Sequence, residues 1–300
     1  MWFKNLTLFR LVEPFSLMAG TLATRLEQHA FQPCPSQQPS AAGWVPPLGR
    51  KALDLVHPVG GRLLFCLRTE EKVLPTSVLN QAVAERAAVI EDQQRRLVRR
   101  KEKQEIRDQL LQELLPRALT RSRYGYAYLD TVDGWLVVDS ASPRGVEEIT
   151  EALRKTLESL LIAPLKVRQS PAAVMTAWLI EGRTPAEFAL GDSCELRAAA
   201  EDGGVVRCRG QDLTGEEIGG HLTAGKQVTR LGLNWSGRLA FVLDEALVVR
   251  RLQFLDVVRE SLRDTATDSP EAVADAEFAL MTGELALLLP RLLELFGGEA

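Results

Sequence analysis

The longest stretch without a helix breaker runs from Thr76 to Leu115, forty residues free of Gly and Pro and bracketed by Pro75 and Pro116. As one helix it would span about 60 Å. Its apolar residues fall into two groups. Val78, Leu79, Ala82, Val83, Val89 and Ile90 occupy one end, and Ile106, Leu110, Leu111, Leu114 and Leu115 the other. Between them, residues 91–105 are polar apart from Leu97 and Val98. A polar centre interrupts any continuous buried stripe. The pattern predicts two helices folded as a hairpin that turns near 98–104, with a single long helix as the alternative.

The flanks mix strand and helix signals. Residues 2–11 read as a strand, and 16–31 as a helix with Ser16 as N-cap. The Pro-, Ser- and Gln-rich segment 32–50 reads as loop, and 61–68 as a buried strand. Residues 124–139 form a β-hairpin around Asp133-Gly134. Helices are expected over 145–161 and 172–181, and over 215–223 behind a Thr214 cap. Strands follow at 205–209, 228–234, 238–243 and 247–255, and a helix over 271–296 contains Pro290. The class is α+β: mixed sheets, packed helices and a protruding helical hairpin. We divide the chain into a central α+β region (1–75, continued by about 124–165), a hairpin region (76–123) and a C-terminal α+β region (166–300).

Net charge is −4, so the chain is not basic in bulk. The charge is segregated, however. Residues 86–123 hold eleven Lys/Arg against six acids, and 260–300 hold nine acids against two arginines. Such segregation can build a polyanion surface on an acidic protein, though i,i+4 pairs on a solvated hairpin explain the same run. Cys34, Cys66, Cys194 and Cys208 include no CxxC pair, and the three histidines are scattered. The cysteines read as small buried hydrophobes in a reducing compartment, and no zinc site is expected. No signal peptide or membrane span is legible, which places the chain in the cytoplasm.

Catalytic patterns are weak. Residues 220–227 fit GxxxxGK, but Gln227 stands where a magnesium-binding Ser or Thr is needed, and the segment ends a helix instead of opening one. Asp130, Asp133 and Glu70 are the carboxylates a metal-dependent nuclease could use, but turn formation is the favoured account of the two aspartates. An adaptor without DNA affinity is a third reading. No cofactor is expected and the chain is not read as an enzyme.

Several strings have no generic chemical meaning yet occur together in order: MWFKNL (1–6), GWVPPLG (43–49), EEKVLP (70–75), LLPRA (114–118), DTVDG (130–134), EDGGVVR (201–207), QDLT (211–214) and MTGEL (281–285). Along its whole length the chain resembles the bacterial RdgC family of recombination-associated proteins. The resemblance implies a ring-shaped dimer around duplex DNA, with a basic inner wall, no sequence preference and no catalysis. It also implies nucleoid association and restraint of the RecA recombinase in recombination and replication-fork repair.

Basic residues in or beside these strings become the candidate DNA contacts: Lys4, Lys72, Arg117, Arg121 (placed one helical turn beyond LLPRA), Arg207, Arg209, Lys226 and Arg230, with Gln211 as a hydrogen-bond donor. Leu110 and Leu114 on the hairpin, and Leu119 after it, are the candidate dimer contacts. The chain departs from the family pattern at Gly210, where a lysine is expected, and at Leu119, where an aromatic is expected.

Overall fold

The computed structural model describes residues 2–49, 51–198, 203–263 and 269–300, so Glu201 and Asp202 of the EDGGVVR string lie outside the described residues. The first half runs β1 (Thr7–Leu11), α1 (Ala19–Glu27), β2 (Ser40–Val45), β3 (His57–Val59), β4 (Arg62–Val73), α2 (Thr76–Gln94), α3 (Arg100–Leu114), β5 (Leu119–Asp130), β6 (Trp135–Val138), α4 (Pro143–Leu157) and β7 (Ile162–Pro164). The long pair β4–β5 is its spine, in register from Arg62 opposite Asp130 to Val73 opposite Leu119. Around it the antiparallel order is β2-β4-β5-β6-β1-β7, with β3 also on β4. Side chains alternate across this sheet. Phe65, Leu67, Ala127 and Leu129 meet α1 and α4 through Leu22, Leu26, Ile149 and Leu153. Leu64 and Tyr128 point the other way, into the larger core.

The second half runs α5 (Pro171–Glu181), β8 (Phe188–Ala198), β9 (Val205–Arg209), α6 (Glu216–Thr223), β10 (Lys226–Trp235), β11 (Leu239–Asp244), β12 (Val249–Phe254), α7 (Asp256–Arg263) and α8 (Pro270–Leu295). Its antiparallel sheet has the order β12-β11-β10-β8-β9. Helix α8 is buried along Phe278, Met281, Leu285, Leu288 and Leu292, which share one core with Leu64 and Tyr128 of the first sheet and Leu231 and Leu243 of the second. A short backbone ladder adds to this union: Leu6 and Val249 exchange N–H···O bonds of 2.8 and 3.0 Å, and the Leu252 amide donates to Lys4 O at 2.8 Å.

The stretch 76–115 is indeed a hairpin of two helices. It turns at 95–99, slightly earlier than expected, because Arg95 adopts a left-handed conformation (φ 52°) and the Glu91 carboxylate accepts the Val98 amide at 2.8 Å. Leu79, Ala87, Val98, Ile106 and Leu110 form its small private core.

Several local expectations need correction. The segment 32–50 contains β2, because Gly43 lets the strand lie against the backbone of Ala30 and Phe31, and Trp44 is buried. Helix α1 starts at Ala19 and Met18 precedes it, so Ser16 caps nothing there. Thr214 does not cap α6 either. Gly215 holds that position, and the Thr214 hydroxyl and amide both donate to Asp212. Residues 119–123 are strand, which removes the helical turn assumed for Arg121. The strand expected over 2–11 is confined to Thr7–Leu11, and β8, β3, β7 and α7 went unforeseen.

Candidate nucleic-acid interface

One row of side chains crosses the second sheet. Glu195 on β8 is the register partner of Arg207 on β9 and of Arg230 on β10. Arg230 in turn faces Asp244 on β11, and Arg250 on β12 donates to Asp244 at 2.8 Å. Charges therefore alternate across all five strands, beginning and ending on arginine. The row lies on the face opposite the core, because its neighbours Cys194, Leu196, Leu231 and Leu243 point into the core.

Glu195 organises the centre. Its side chain is only 5% exposed, and its carboxylate accepts Arg207 Nε at 2.7 Å and Arg230 Nη1 at 3.2 Å. Burial pushes its carboxyl up. The hydrogen bond from Arg207 and the charges of Arg230 and Arg207 outweigh burial and hold it below the usual carboxylate range. A single buried anion thus orients the guanidinium groups of two arginines whose side chains remain 64% and 41% exposed. Arginine suits this role, because its planar fork can satisfy one carboxylate and still present N–H groups to a phosphate.

The row floors a cavity of about 250 Å³ lined by five arginines, Arg207, Arg209, Arg230, Arg250 and Arg251, with Glu195 as the sole acid among its lining residues. A bulge opens its far side. Ala240 faces Gln253 but Val242 faces Arg250, so β12 carries an extra residue, and Arg251 sits there in a left-handed conformation (φ 52°). Bulges re-aim side chains at sheet rims. Here the bulge lets two consecutive arginines border one cavity, which a regular strand would send to opposite faces.

Of the candidate contacts, the structure gathers Arg207, Arg209 and Arg230 at this cavity. Lys4 is exposed beside it, next to Asn5, which lines it. Gln211 follows β9, exposed, with its backbone N–H donating to Asp192 O at 3.3 Å. Lys226 stands at the start of β10, away from the cavity.

The remaining three belong to the foot of the hairpin. Lys72 donates its ammonium to Leu115 O at 3.0 Å, tying α3 to β4. Arg117 is exposed in the turn after α3. Arg121 meets Glu71 at 3.4 Å, in a network where Glu71 and Glu148 also hold Arg123 and Arg144. Much of the basic run is thus neutralised locally.

Arg250 and Arg251 escaped the sequence reading. The signal was present: two adjacent charges inside an otherwise alternating strand require a bulge or a polar core. Leu110 is packed inside the hairpin's own core, Leu114 is half-buried beside it, and Leu119 is 81% exposed.

Asp130 and Asp133 share Arg62, but Glu70 lies far from both, so the three carboxylates of the nuclease reading do not converge. Asp130 is opposite Arg62 and Glu70 opposite Ser122 in the β4–β5 register, eight residues apart, or about 27 Å along the strands. Asp130 accepts the amides of Val132 and Asp133 and the Arg62 Nε, and Glu70 accepts the Cys34 amide and Arg68. Both are occupied structurally. Among the described residues no group of three or more His, Cys, Asp or Glu is placed to hold a metal ion. Also among them, no helix is long and apolar enough to cross a membrane.

Comparison with known proteins supplies the lineage. A family model described as "Putative exonuclease, RdgC" matches residues 1–299. The chain is 43% identical over 299 residues to the recombination-associated protein RdgC of Aeromonas hydrophila subsp. hydrophila, covering 100% of this chain and 99% of the relative. Those of Tolumonas auensis and Halorhodospira halophila are 43% and 42% identical, each with the same coverage. With agreement of this extent from end to end, the chain belongs to the RdgC family of recombination-associated proteins.

Proposed function

We propose that this protein binds duplex DNA without sequence preference through the arginine-lined face of its second sheet, as a ring-shaped homodimer. DNA so covered is closed to the RecA recombinase, which limits recombination at repairing replication forks in the nucleoid. The observation that carries the reading is the cavity lined by five arginines, with Glu195 the one acid among its lining residues and Asp244 holding Arg250 from the row beneath. Guanidinium groups fixed by a buried acid neutralise phosphates and release counterions, and phosphate contacts read no bases. The names of the relatives support the recombination setting. The hairpin offers a surface for the dimer: a second hairpin against it would complete a four-helix bundle, and Leu119 is free to join the contact.

The test is retention of random-sequence linear duplex across a salt series, with magnesium or with chelator, scoring binding and cleavage together. Affinity is expected to fall steeply with log salt, unchanged by chelator, with the DNA intact. Arg209→Glu with Arg251→Glu should flatten the salt slope by about 0.9 per residue on every sequence alike. Arg121→Glu with Lys226→Glu should do less. Absence of binding at low salt would favour the adaptor reading. Magnesium-dependent shortening from the ends would favour the exonuclease that the family description names.

A further inference from the structure

Two of the four cysteines face each other. Cys194 on β8 and Cys208 on β9 are register partners in an antiparallel pair. Directly opposed residues of such a pair have Cα atoms about 4.5–5.5 Å apart with both side chains on one face, within the roughly 4.4–6.8 Å that a disulfide spans. Both are free thiols, and both residues border the arginine cavity while their side chains lie on the core side of the sheet. Their environments differ. Cys194 is 5% exposed and shares the core with Leu196 and Leu231, whereas Cys208 is half-buried on the edge strand.

We propose that Cys194 and Cys208 form a peroxide-sensitive dithiol that closes to a disulfide across β8 and β9. Cys208, the more accessible, attacks hydrogen peroxide as thiolate. Its sulfur takes one oxygen as sulfenic acid, the O–O bond breaks, and the departing hydroxide leaves as water with the proton released from that thiol. The Cys194 sulfur then attacks the sulfenic sulfur. The S–O bond breaks, and the hydroxide takes the Cys194 proton to leave as a second water. Two thiols and one peroxide thus become one disulfide and two waters, a two-electron oxidation of the protein.

The division of labour follows burial. Burial pushes the Cys194 thiol up to about 12, so at neutral pH it is a poor first nucleophile, but it lies within hydrogen-bonding reach of Cys208 and suits the resolving step. In a reducing compartment the pair rests as dithiol, and an oxidant closes it. Closure ties the edge strand that carries Arg207 and Arg209 covalently to β8.

The experiment uses the full chain, reduced, freed of reductant and exposed to a few-fold excess of hydrogen peroxide. Remaining thiols are alkylated and the protein is mapped by mass spectrometry. A peptide joining Cys194 to Cys208 is expected, with four free thiols becoming two and dithiothreitol restoring them. Alkylation of both residues, separate overoxidation of each, or linkage of either to Cys34 or Cys66 overturns the proposal. In Cys194→Ser, Cys208 should accumulate a dimedone-reactive sulfenic acid, and its absence in folded protein counts against the mechanism. Cys208→Ser changes only a half-exposed side chain and keeps the test open should the first variant misfold. There Cys194 should stay reduced, and its oxidation at the wild-type rate would refute the assigned order.

Discussion

At the scale of single residues, the arginine cavity couples charge to backbone conformation. Arg251 holds a left-handed conformation, which costs an L-residue other than glycine roughly 1–2 kcal/mol. Arg251→Gly should therefore raise stability by about 0.5–1 kcal/mol, read from the urea midpoint, while lowering DNA affinity at low salt. Glu195 supplies the opposite lesson. With Glu70 and Glu71 it belongs to a set of carboxyls held low in the folded protein: Glu70 by the Cys34 amide and Arg68, Glu71 by Arg123 and Arg121 against the upward push of burial. A carboxyl whose folded value lies below its unfolded value of about 4.3 contributes stability above that pH, and the contribution drains away as pH falls through the folded value. Urea midpoints should accordingly fall as pH drops below about 4.3, and Glu195→Gln should make that acid fall shallower. Arg238 illustrates a pair with unequal burial. It forks onto Glu284 of α8, whose side chain is 4% exposed. Arg238→Ala leaves that carboxylate buried and unpaired, with an expected loss of about 3 kcal/mol by denaturant titration.

At the scale of elements, β2 depends on one glycine. A Cβ at Gly43 would stand 2.4 Å from the Phe31 Cα, a backbone atom that cannot swing aside. Gly43→Ala is expected to cost about 2–3 kcal/mol and to break the Trp44 amide bond to His29 O, visible as faster amide exchange there. The same strand shows why the sequence misled. Ser-Ala-Ala-Gly-Trp-Val lacks the β-branched density of an ordinary strand, and its pairing with β4 is decided by tertiary contact. Strand β8 hid for a related reason, since Gly191 and polar Asp192 and Ser193 interrupt it where Gly191 passes close to the Gly232 backbone. By contrast the helical hairpin, the Asp133-Gly134 turn and β10 to β12 were legible, because each announces itself through local pattern or turn chemistry. The candidate interface was half legible. Three of its arginines stood beside recognisable strings, but the row Arg207–Glu195–Arg230–Asp244–Arg250 is a property of strand register, which the sequence does not print.

At the scale of the whole molecule, the hairpin and the body differ in what they can offer a partner. Leu110 already serves the hairpin's private core, whereas Leu119 lies 81% exposed at its foot. Leu119→Asp should leave the unfolding midpoint within about 0.5 kcal/mol of wild type, as surface changes do, and, if the proposed dimer forms through this foot, yield monomer in light scattering. The body behaves differently. Helix α8 belongs to both sheets at once, and the bonds between residues 4–6 and β12 close the same junction a second time. The two halves of the chain are thus joined by a shared core and by backbone bonds. If the proposed ring closes from such protomers, it can part only where copies meet, so loading onto circular DNA would be timed by subunit exchange, whereas a linear end could be threaded without waiting for it.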